Sequence, residues 1–176
     1  MATYQYSADY SGSLPVSDQE AFDFLDDQSN LSAHMGEKSW MMLGSTMDIF
    51  MDAQRTREVG SQFGFKGSVV GVPLFVREVV TFRQPPKSKR WKTVEEPVLW
   101  VIGAYEMYFE IRRETGGANL TVGIGYERPL RGFPRFLSIF FHRAYARWCT
   151  KKMVVHAQHH FSARRPPEDS GRQQPA

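Results

Sequence analysis

The longest regular pattern of apolar residues lies near the C-terminal end of the chain, from Phe136 to Phe161. Apolar side chains recur there at three- and four-residue spacings, which predicts an amphipathic helix of about seven turns. Pro134 precedes this stretch and Pro166 follows it, where proline starts or stops a helix. The stripe predicted to be buried comprises Leu137, Phe140, Phe141, Ala144, Trp148 and Val155. The residues placed off this stripe include Ser138, His142, Arg143, Cys149 and Thr150.

Upstream of this helix, the first apolar pattern has a period of two residues and predicts a β-strand from Thr3 to Tyr10. Ser17 and Glu20 then form a capping box, in which each side chain can satisfy a free amide of the helix start. They predict a short helix through Asp27, followed by a second short helix that ends near Gly36.

The period of two returns after these helices and persists until the C-terminal helix. The predicted strands run from Met41 to Met51, Val72 to Phe82, Trp91 to Val94, Leu99 to Ile111 and Leu120 to Tyr126, with a looser stretch around Phe63 and Phe65. Short turns join them, which favours an antiparallel meander. Because no helix separates these strands, the order predicts an α+β fold, a curved antiparallel sheet of about six to seven strands around the C-terminal helix.

The length of 176 residues predicts one domain with a sizeable core. We expect residues 1–163 to form this domain and residues 164–176 to form a disordered tail. No signal-peptide pattern and no transmembrane segment are found, so a cytoplasmic protein is predicted. Cys149 is the single cysteine, which excludes an internal disulfide, and we assign it no role.

The net charge of +3 is distributed unevenly, because no acidic residue occurs between Glu127 and Glu168. The bases in that interval are Arg128, Arg131, Arg135, Arg143, Arg147, Lys151, Lys152, Arg164 and Arg165. Two interpretations follow: a solvated helix face beside an acidic neighbour, or a site for an anionic partner such as an acidic carrier protein or an anionic lipid surface. Nucleic acid is not expected, since the aromatic residues of the helix do not interleave with the bases on its open side.

Several inward-facing positions of the predicted sheet carry methionine, namely Met41, Met47, Met51 and Met107. Unbranched, polarizable side chains suit a pocket that adapts to varied apolar shapes, although they also serve as ordinary core filling. Three polar residues interrupt the apolar stripes, and they are Glu78, Tyr105 and Tyr126.

Glu78 is the most informative of these polar residues, because an isolated buried carboxylate is costly. It should pair with a cation or stay protonated with a raised pKa. Three roles are consistent with this: a salt bridge to a base on the C-terminal helix, a polar anchor for a ligand, or a catalytic general base. In the catalytic role, Tyr105 or Tyr126 would donate to a developing enolate.

A metal site is not expected, although His156, His159 and His160 have helical spacing, because no acid or cysteine lies near them in sequence. No glycine-rich loop has the pattern of a phosphate-binding site, and no cofactor is predicted.

The order of elements, together with Asp18-Gln-Glu-Ala-Phe-Asp-Phe-Leu-Asp26, resembles the START-like helix-grip superfamily, also called SRPBCC. This superfamily includes polyketide cyclases and lipid-transfer proteins. The resemblance implies a cavity between the curved sheet and the long helix that holds an apolar or aromatic ligand. It supplies no catalytic signature to place on residues of this chain.

These observations predict that the protein binds or carries a hydrophobic small molecule, such as a lipid or an aromatic or polyketide-like compound, in that cavity. The predicted ligand-binding residues are Met41, Met47, Glu78, Tyr105, Met107, Tyr126, Phe141 and Trp148. One alternative is a cyclase, aromatase or dehydratase with Glu78 as its candidate catalytic residue. A second is a protein-interaction module that uses the basic C-terminal helix.

Overall fold

The computed structural model describes residues 3–30, 46–53, 55–69, 72–130 and 132–164. The elements in chain order are β1 (Tyr6–Leu14), α1 (Asp18–Asp26), β2 (Thr46–Met51), β3 (Gln62–Val69), β4 (Val72–Gln84), β5 (Ser88–Thr93), β6 (Tyr105–Glu114), β7 (Gly117–Tyr126) and α2 (Gly132–Ser162). The strands form one seven-stranded sheet in the order β1-β7-β6-β5-β4-β3-β2. Every neighbouring pair is antiparallel. The predicted α+β class and strand number are confirmed.

The start of α1 follows from its capping residue. The Ser17 Oγ accepts a hydrogen bond from the Glu20 amide at 3.2 Å, and Ala21, Phe22 and Leu25 are buried as predicted. The backbone is helical again at residues 28–30. The rest of the predicted second helix lies outside the described residues.

The β6–β7 hairpin also agrees closely with the prediction from the sequence. Its turn contains Gly116, whose φ of 85° lies in the left-handed region that glycine adopts at little cost. The strand that leaves the turn buries every second residue, and hence one face, and Gly123 is buried in addition. The buried residues of this face are Leu120, Val122, Ile124 and Tyr126, as predicted.

The stretch around Phe63 and Phe65 is a correction, because it forms the regular strand β3 and not a looser segment. Both phenylalanines are buried. The intervening Gly64 weakens the strand signal, but the packing requires it. A Cβ at this position would lie 2.2 Å from the carbonyl oxygen of Val76 and 2.4 Å from the ring of Phe50.

Other predicted strands shift their bounds; β5 and β7, for example, each begin three residues earlier than predicted. The first strand occupies Tyr6–Leu14 and not Thr3 to Tyr10, because its pairing with β7 continues through Leu14. The strand predicted to begin at Leu99 begins at Tyr105 in the structure, so residues 99–104 lie before it. Ile102 is buried within this stretch, so its apolar character reflects packing without strand pairing.

The rotation of α2 about its axis is the main error of the sequence-based expectation. Phe140 and Phe141 are 66% and 51% exposed, and Ala144 is also exposed, although all three were predicted to be buried. Trp148 and Val155 are half-buried, and the Leu137 side chain lies outside the description. The residues that α2 buries are Ser138, His142, Ala146, Cys149, Thr150, Met153, Val154, Ala157 and Phe161.

The buried face of α2 still has helical spacing, but many of its members are small or polar. Thr150 satisfies its hydroxyl by donating to the carbonyl oxygens of Ala146 and Arg147, at 3.1 and 3.2 Å. Small side chains let α2 approach β1 and β7, on which it mainly packs. Within the described residues, neither α1 nor α2 has an apolar stretch long enough to cross a bilayer.

Candidate functional site

A cavity of about 40 Å³ lies between the sheet and α2. We call it the Glu78 cavity. Its lining is predominantly apolar and comes from β3 to β7, from α2 and from connecting segments: Gln28, Phe65, Val76, Glu78, Trp91, Leu99, Ile102, Tyr105, Met107, Ile124, Tyr145, Cys149 and Met153. A volume of this size holds only a few water molecules, so side chains fill most of the space between sheet and helix.

Glu78 is buried at 1% exposure on β4, where it pairs in register with Phe63 of β3 and Thr93 of β5. Burial raises the pKa of its carboxyl group to about 8, although hydrogen bonds from the Tyr105 and Trp91 side chains oppose this shift. The second oxygen, Oε2, accepts no hydrogen bond within the described part of the chain.

The cation predicted as one option for Glu78 is not found. No lysine or arginine among the described residues forms an ion pair with it. On the helix that contributes to the cavity lining, Arg143, Arg147 and Lys151 are exposed and Lys152 is half-buried. Glu78 therefore takes the other predicted option, a protonated carboxyl group with a raised pKa.

The neighbouring titratable groups are also neutral near pH 7. Burial, and then the nearby Glu78, raise the pKa of Tyr105 well above its ordinary value. Burial likewise raises the pKa of Tyr145, and it raises that of the Cys149 thiol to about 12. Since the thiolate is the reactive form of cysteine, Cys149 is an inert part of the cavity wall.

The chemical capacity of the Glu78 cavity follows from these states. Because burial raises its pKa to about 8, Glu78 is mainly protonated at neutral pH. A protonated carboxyl group donates one hydrogen bond. The cavity thus presents a neutral donor in apolar surroundings, which suits an uncharged ligand with an oxygen or nitrogen acceptor.

The structure brings together three of the predicted ligand-binding residues. Glu78, Tyr105 and Met107 line the Glu78 cavity. Met41 lies outside the described residues. The backbone of Met47 is part of β2, but its side chain is not described.

The other three predicted residues do not line this cavity. Phe141 is 51% exposed, and Trp148 packs beside Tyr145 with 5.9 Å between ring centroids. Both were placed inward by the wrong rotation of α2. Tyr126 is buried as predicted, but its hydroxyl pairs with Nδ1 of His142 at 2.9 Å, away from Glu78.

Sequence reasoning missed several cavity residues. From α2 these are Tyr145, Cys149 and Met153, which recur every four residues and so share one side of the helix. This spacing was a usable signal, but the larger aromatic residues Phe140, Phe141 and Trp148 outweighed it. Trp91 was also missed, although its register opposite Met107 on β6 places both side chains on the same face of the sheet.

Tyr126 belongs to a second pocket, of about 270 Å³, between β1 and α2. Its lining residues are Gln5, Tyr6, Ser7, Ala8, Tyr126, Arg143 and Arg147. The His142 ring meets the Tyr6 ring at 4.4 Å between centroids. Burial, and then the charges of Arg143 and Arg128, lower the pKa of His142. The neutral imidazole is consequently favoured beside these guanidinium groups.

The histidines near the end of α2 pack against an aromatic ring. His160 and His156 stack on Phe24, with centroids 4.1 and 6.2 Å from its ring. Among the described residues no group of histidine, cysteine and acidic side chains has the arrangement of a metal site.

Comparison with known proteins supports the architecture. No protein-family model matches the sequence, and no curated protein matches it. Among solved structures, TTHA0849 from Thermus thermophilus is similar with a TM-score of 0.62 at 12% identity, over 90% of this chain and 98% of that one. Ara h 8.0201 is similar with a TM-score of 0.59 at 9% identity, over 90% of this chain and 98% of its own.

The di-domain ARO/CYC StfQ from the steffimycin biosynthetic pathway gives a TM-score of 0.65 at 10% identity. The match covers 90% of this chain and 51% of StfQ. At such low identities these likenesses establish the fold and not a shared activity. The chain has the same fold as these structures, a curved antiparallel sheet around a long C-terminal helix, and this confirms at the level of fold the helix-grip architecture that the resemblance in its sequence implies.

Proposed function

We propose that the protein binds a small, uncharged hydrophobic molecule in the Glu78 cavity, and that Glu78 donates a hydrogen bond to an acceptor atom of that molecule. One observation carries this proposal: a buried carboxyl group in an apolar cavity has an oxygen that no described group satisfies. Such groups in native proteins usually have a partner, and a bound ligand would supply one.

The size of the cavity constrains the ligand. An engineered dry cavity of about 150 Å³ in another protein binds benzene, whereas this one measures about 40 Å³. A ligand with one ring therefore requires side chains to move. Met107 and Met153 line the cavity and have the flexible, unbranched shape that permits this. The similarity to an ARO/CYC protein adds support only at the level of fold.

Acetophenone and ethylbenzene form a suitable pair of probes, because they differ mainly in a carbonyl oxygen. We expect the wild-type protein to bind acetophenone about 2- to 10-fold more tightly than ethylbenzene, because that ratio corresponds to the net free energy of one hydrogen bond. Glu78→Gln retains a donor and should change the affinity for the ketone by only a few fold. Glu78→Met removes the donor and should abolish the preference. Isothermal titration calorimetry measures the affinity of the wild type and of both variants for each probe.

Two results would contradict carriage in this cavity. One is binding of neither probe by the wild type. The other is an undiminished preference for acetophenone in Glu78→Met, which would place the donor elsewhere. Circular dichroism of each variant shows whether the fold is retained.

The second candidate is a cyclase-like enzyme, which the raised pKa of Glu78 and the adjacent Tyr105 favour. Near pH 8, half of the Glu78 carboxyl groups are ionised. The carboxylate would break a C–H bond next to a ketone and take the proton. The Tyr105 hydroxyl would donate to the enolate oxygen that forms.

Hydrogen–deuterium exchange at the methyl group of acetophenone in D₂O separates carrier from enzyme. An enzyme would accelerate the exchange, and Glu78→Gln would return it to the rate without protein while still binding the ketone. If wild-type protein and Glu78→Gln give the same exchange rate, by NMR, the catalytic alternative is excluded for this substrate class and carriage remains.

A further inference from the structure

One side of α2 presents aromatic residues first and basic residues further along. Phe136, Phe140, Arg143, Arg147 and Lys151 follow one another at intervals of four, three, four and four positions and are all exposed. These intervals place them on one side of the helix. We call this set the outer stripe. Its basic end borders the edge of the sheet, where the Lys151 Nζ lies 5.9 Å from the centre of the Tyr10 ring.

Further exposed apolar side chains accompany the aromatic end of the outer stripe. Phe136 and Phe140 are 59% and 66% exposed, and Leu130, Ile139 and Phe141 are 66%, 52% and 51% exposed. Five large apolar side chains within residues 130–141 thus remain more than half in water. Isolated exposed apolar residues are ordinary, but the Phe136 and Phe140 rings adjoin each other, with 5.8 Å between their centroids, and adjoining exposed apolar side chains mark a surface that contacts something apolar.

The basic end of the outer stripe has no acidic counterpart. Arg143, Arg147 and Lys151 form no ion pair with the described residues. The sequence contains no acid between Glu127 and Glu168. Arg143 and Arg147 also border the pocket of about 270 Å³ between β1 and α2, which has room for a phosphate-sized anion.

We propose that the outer stripe docks the protein on the surface of an anionic lipid bilayer. Phe136 and Phe140 enter the boundary between head groups and acyl chains, where aromatic side chains are stable. Arg143 and Arg147 stay at the level of the lipid phosphates, with their aliphatic stems toward the apolar layer. This docking does not depend on any ligand of the Glu78 cavity.

The distribution of side chains favours a bilayer over an acidic protein as the partner. An acidic protein would neutralise the bases but leave the adjoining apolar side chains in water. A bilayer with anionic lipids satisfies both ends at once, because its charged surface lies directly above an apolar layer.

Co-sedimentation of the full chain with vesicles tests the proposal. We expect binding to vesicles of phosphatidylcholine with phosphatidylserine, little binding to phosphatidylcholine vesicles, and release by high salt. Each base near a charged bilayer contributes a factor of roughly five in affinity. Arg143→Ala with Arg147→Ala should therefore weaken binding about 25-fold, and Phe136→Ser with Phe140→Ser should weaken it at least 10-fold.

Matched variants on the sheet serve as controls. Val98→Ser removes an apolar side chain that is 51% exposed, and Arg112→Ala removes a base that is 82% exposed, both outside α2. Each should leave vesicle binding within about twofold, as expected for surface positions outside the docking area.

The proposal is overturned if wild-type protein binds neither vesicle type, or if the outer-stripe variants bind as well as the controls. Capture of an acidic protein that depends on Arg143 and Arg147, without vesicle binding, would assign the surface to a protein partner and also overturn it. Retention of acetophenone binding in the outer-stripe variants would show that the Glu78 cavity is intact.

Discussion

Two carboxyl groups of the core show how partners decide the charge of a buried residue. Asp26 is 4% exposed, and burial by itself raises its pKa, but hydrogen bonds and charge from Arg83 and Lys89 outweigh that effect and lower it. The Lys89 Nζ donates to Asp26 at 3.0 Å, and Arg83 donates at 2.8 Å. Glu78 is buried still more deeply, at 1% exposure, and Tyr105 and Trp91 supply only neutral donors, so burial prevails and raises its pKa to about 8.

The pKa of Glu78 leads to a prediction about stability. The folded protein holds the Glu78 proton up to about pH 8, whereas the unfolded chain releases it near pH 4.5. Between these values the folded state binds more protons, so the free energy of unfolding falls as pH rises, by up to about 1.4 kcal/mol per pH unit. Glu78→Gln should lack this decrease and become the more stable protein at high pH.

Urea denaturation across that pH range measures the effect. Glu95→Gln is the control, because its parent side chain is 54% exposed, and its profile should run parallel to that of the wild type. A profile for Glu78→Gln that also parallels the wild type would show that Glu78 is ionised in the folded protein.

The sequence located Glu78 and Tyr105 because a strand with period two fixes which side chains share a face. It could not separate Tyr126 from them. Tyr126 lies on the same apolar face of the sheet, but its hydroxyl is satisfied by His142 of α2. Such a pairing depends on the position of the helix over the sheet, and this position cannot be predicted from the period of a strand.

For the elements, strand faces could be predicted and the rotation of α2 could not. A strand has only two faces, so one apolar stripe settles the choice. A helix can turn continuously, and α2 has large apolar residues on its outer side as well as its inner side. The inner face includes Ala146, which is small enough for close packing, and Thr150, whose hydroxyl is satisfied by a hydrogen bond to the Ala146 carbonyl oxygen. Weighting residues by hydrophobicity therefore favours the wrong side.

Two neighbouring alanines test the rotation of α2. Ala146 is fully buried, whereas Ala144 is exposed. Ala146→Leu should destabilise the protein by about 1–3 kcal/mol, because the tightly packed interior has no space for the added methylenes. Ala144→Leu should stay within about 0.5 kcal/mol of the wild type. Chemical denaturation measures both, and a reversed order would restore the rotation predicted from the sequence.

In the molecule as a whole, the first and last elements hold each other in place. β1 pairs with β7, and α2 packs on both strands. The contact is close at Gly12 of β1, where a Cβ atom would lie 2.8 Å from Cγ1 of Val154 and 2.6 Å from Nε2 of Gln158. Glycine on the strand and small residues on the helix therefore act together. The same closeness leaves only a small cavity beneath α2.

This contact gives a prediction about coupling between the two ends of the chain. Gly12→Ala should destabilise the protein by about 1–3 kcal/mol, because α2 must move away from β1. The opposite effect of alanine on the unfolded chain, about 0.4–1 kcal/mol, is smaller. In a Val154→Ala background the same substitution should cost at least about 0.5 kcal/mol less, since one of the two obstructing groups is gone and the other, Nε2 of Gln158, ends a flexible side chain. Ser13→Ala, at an exposed position of the same strand, controls for changes to β1 itself. Urea denaturation of the four proteins of the cycle measures the coupling, and strictly additive effects would show that β1 and α2 do not meet at Gly12.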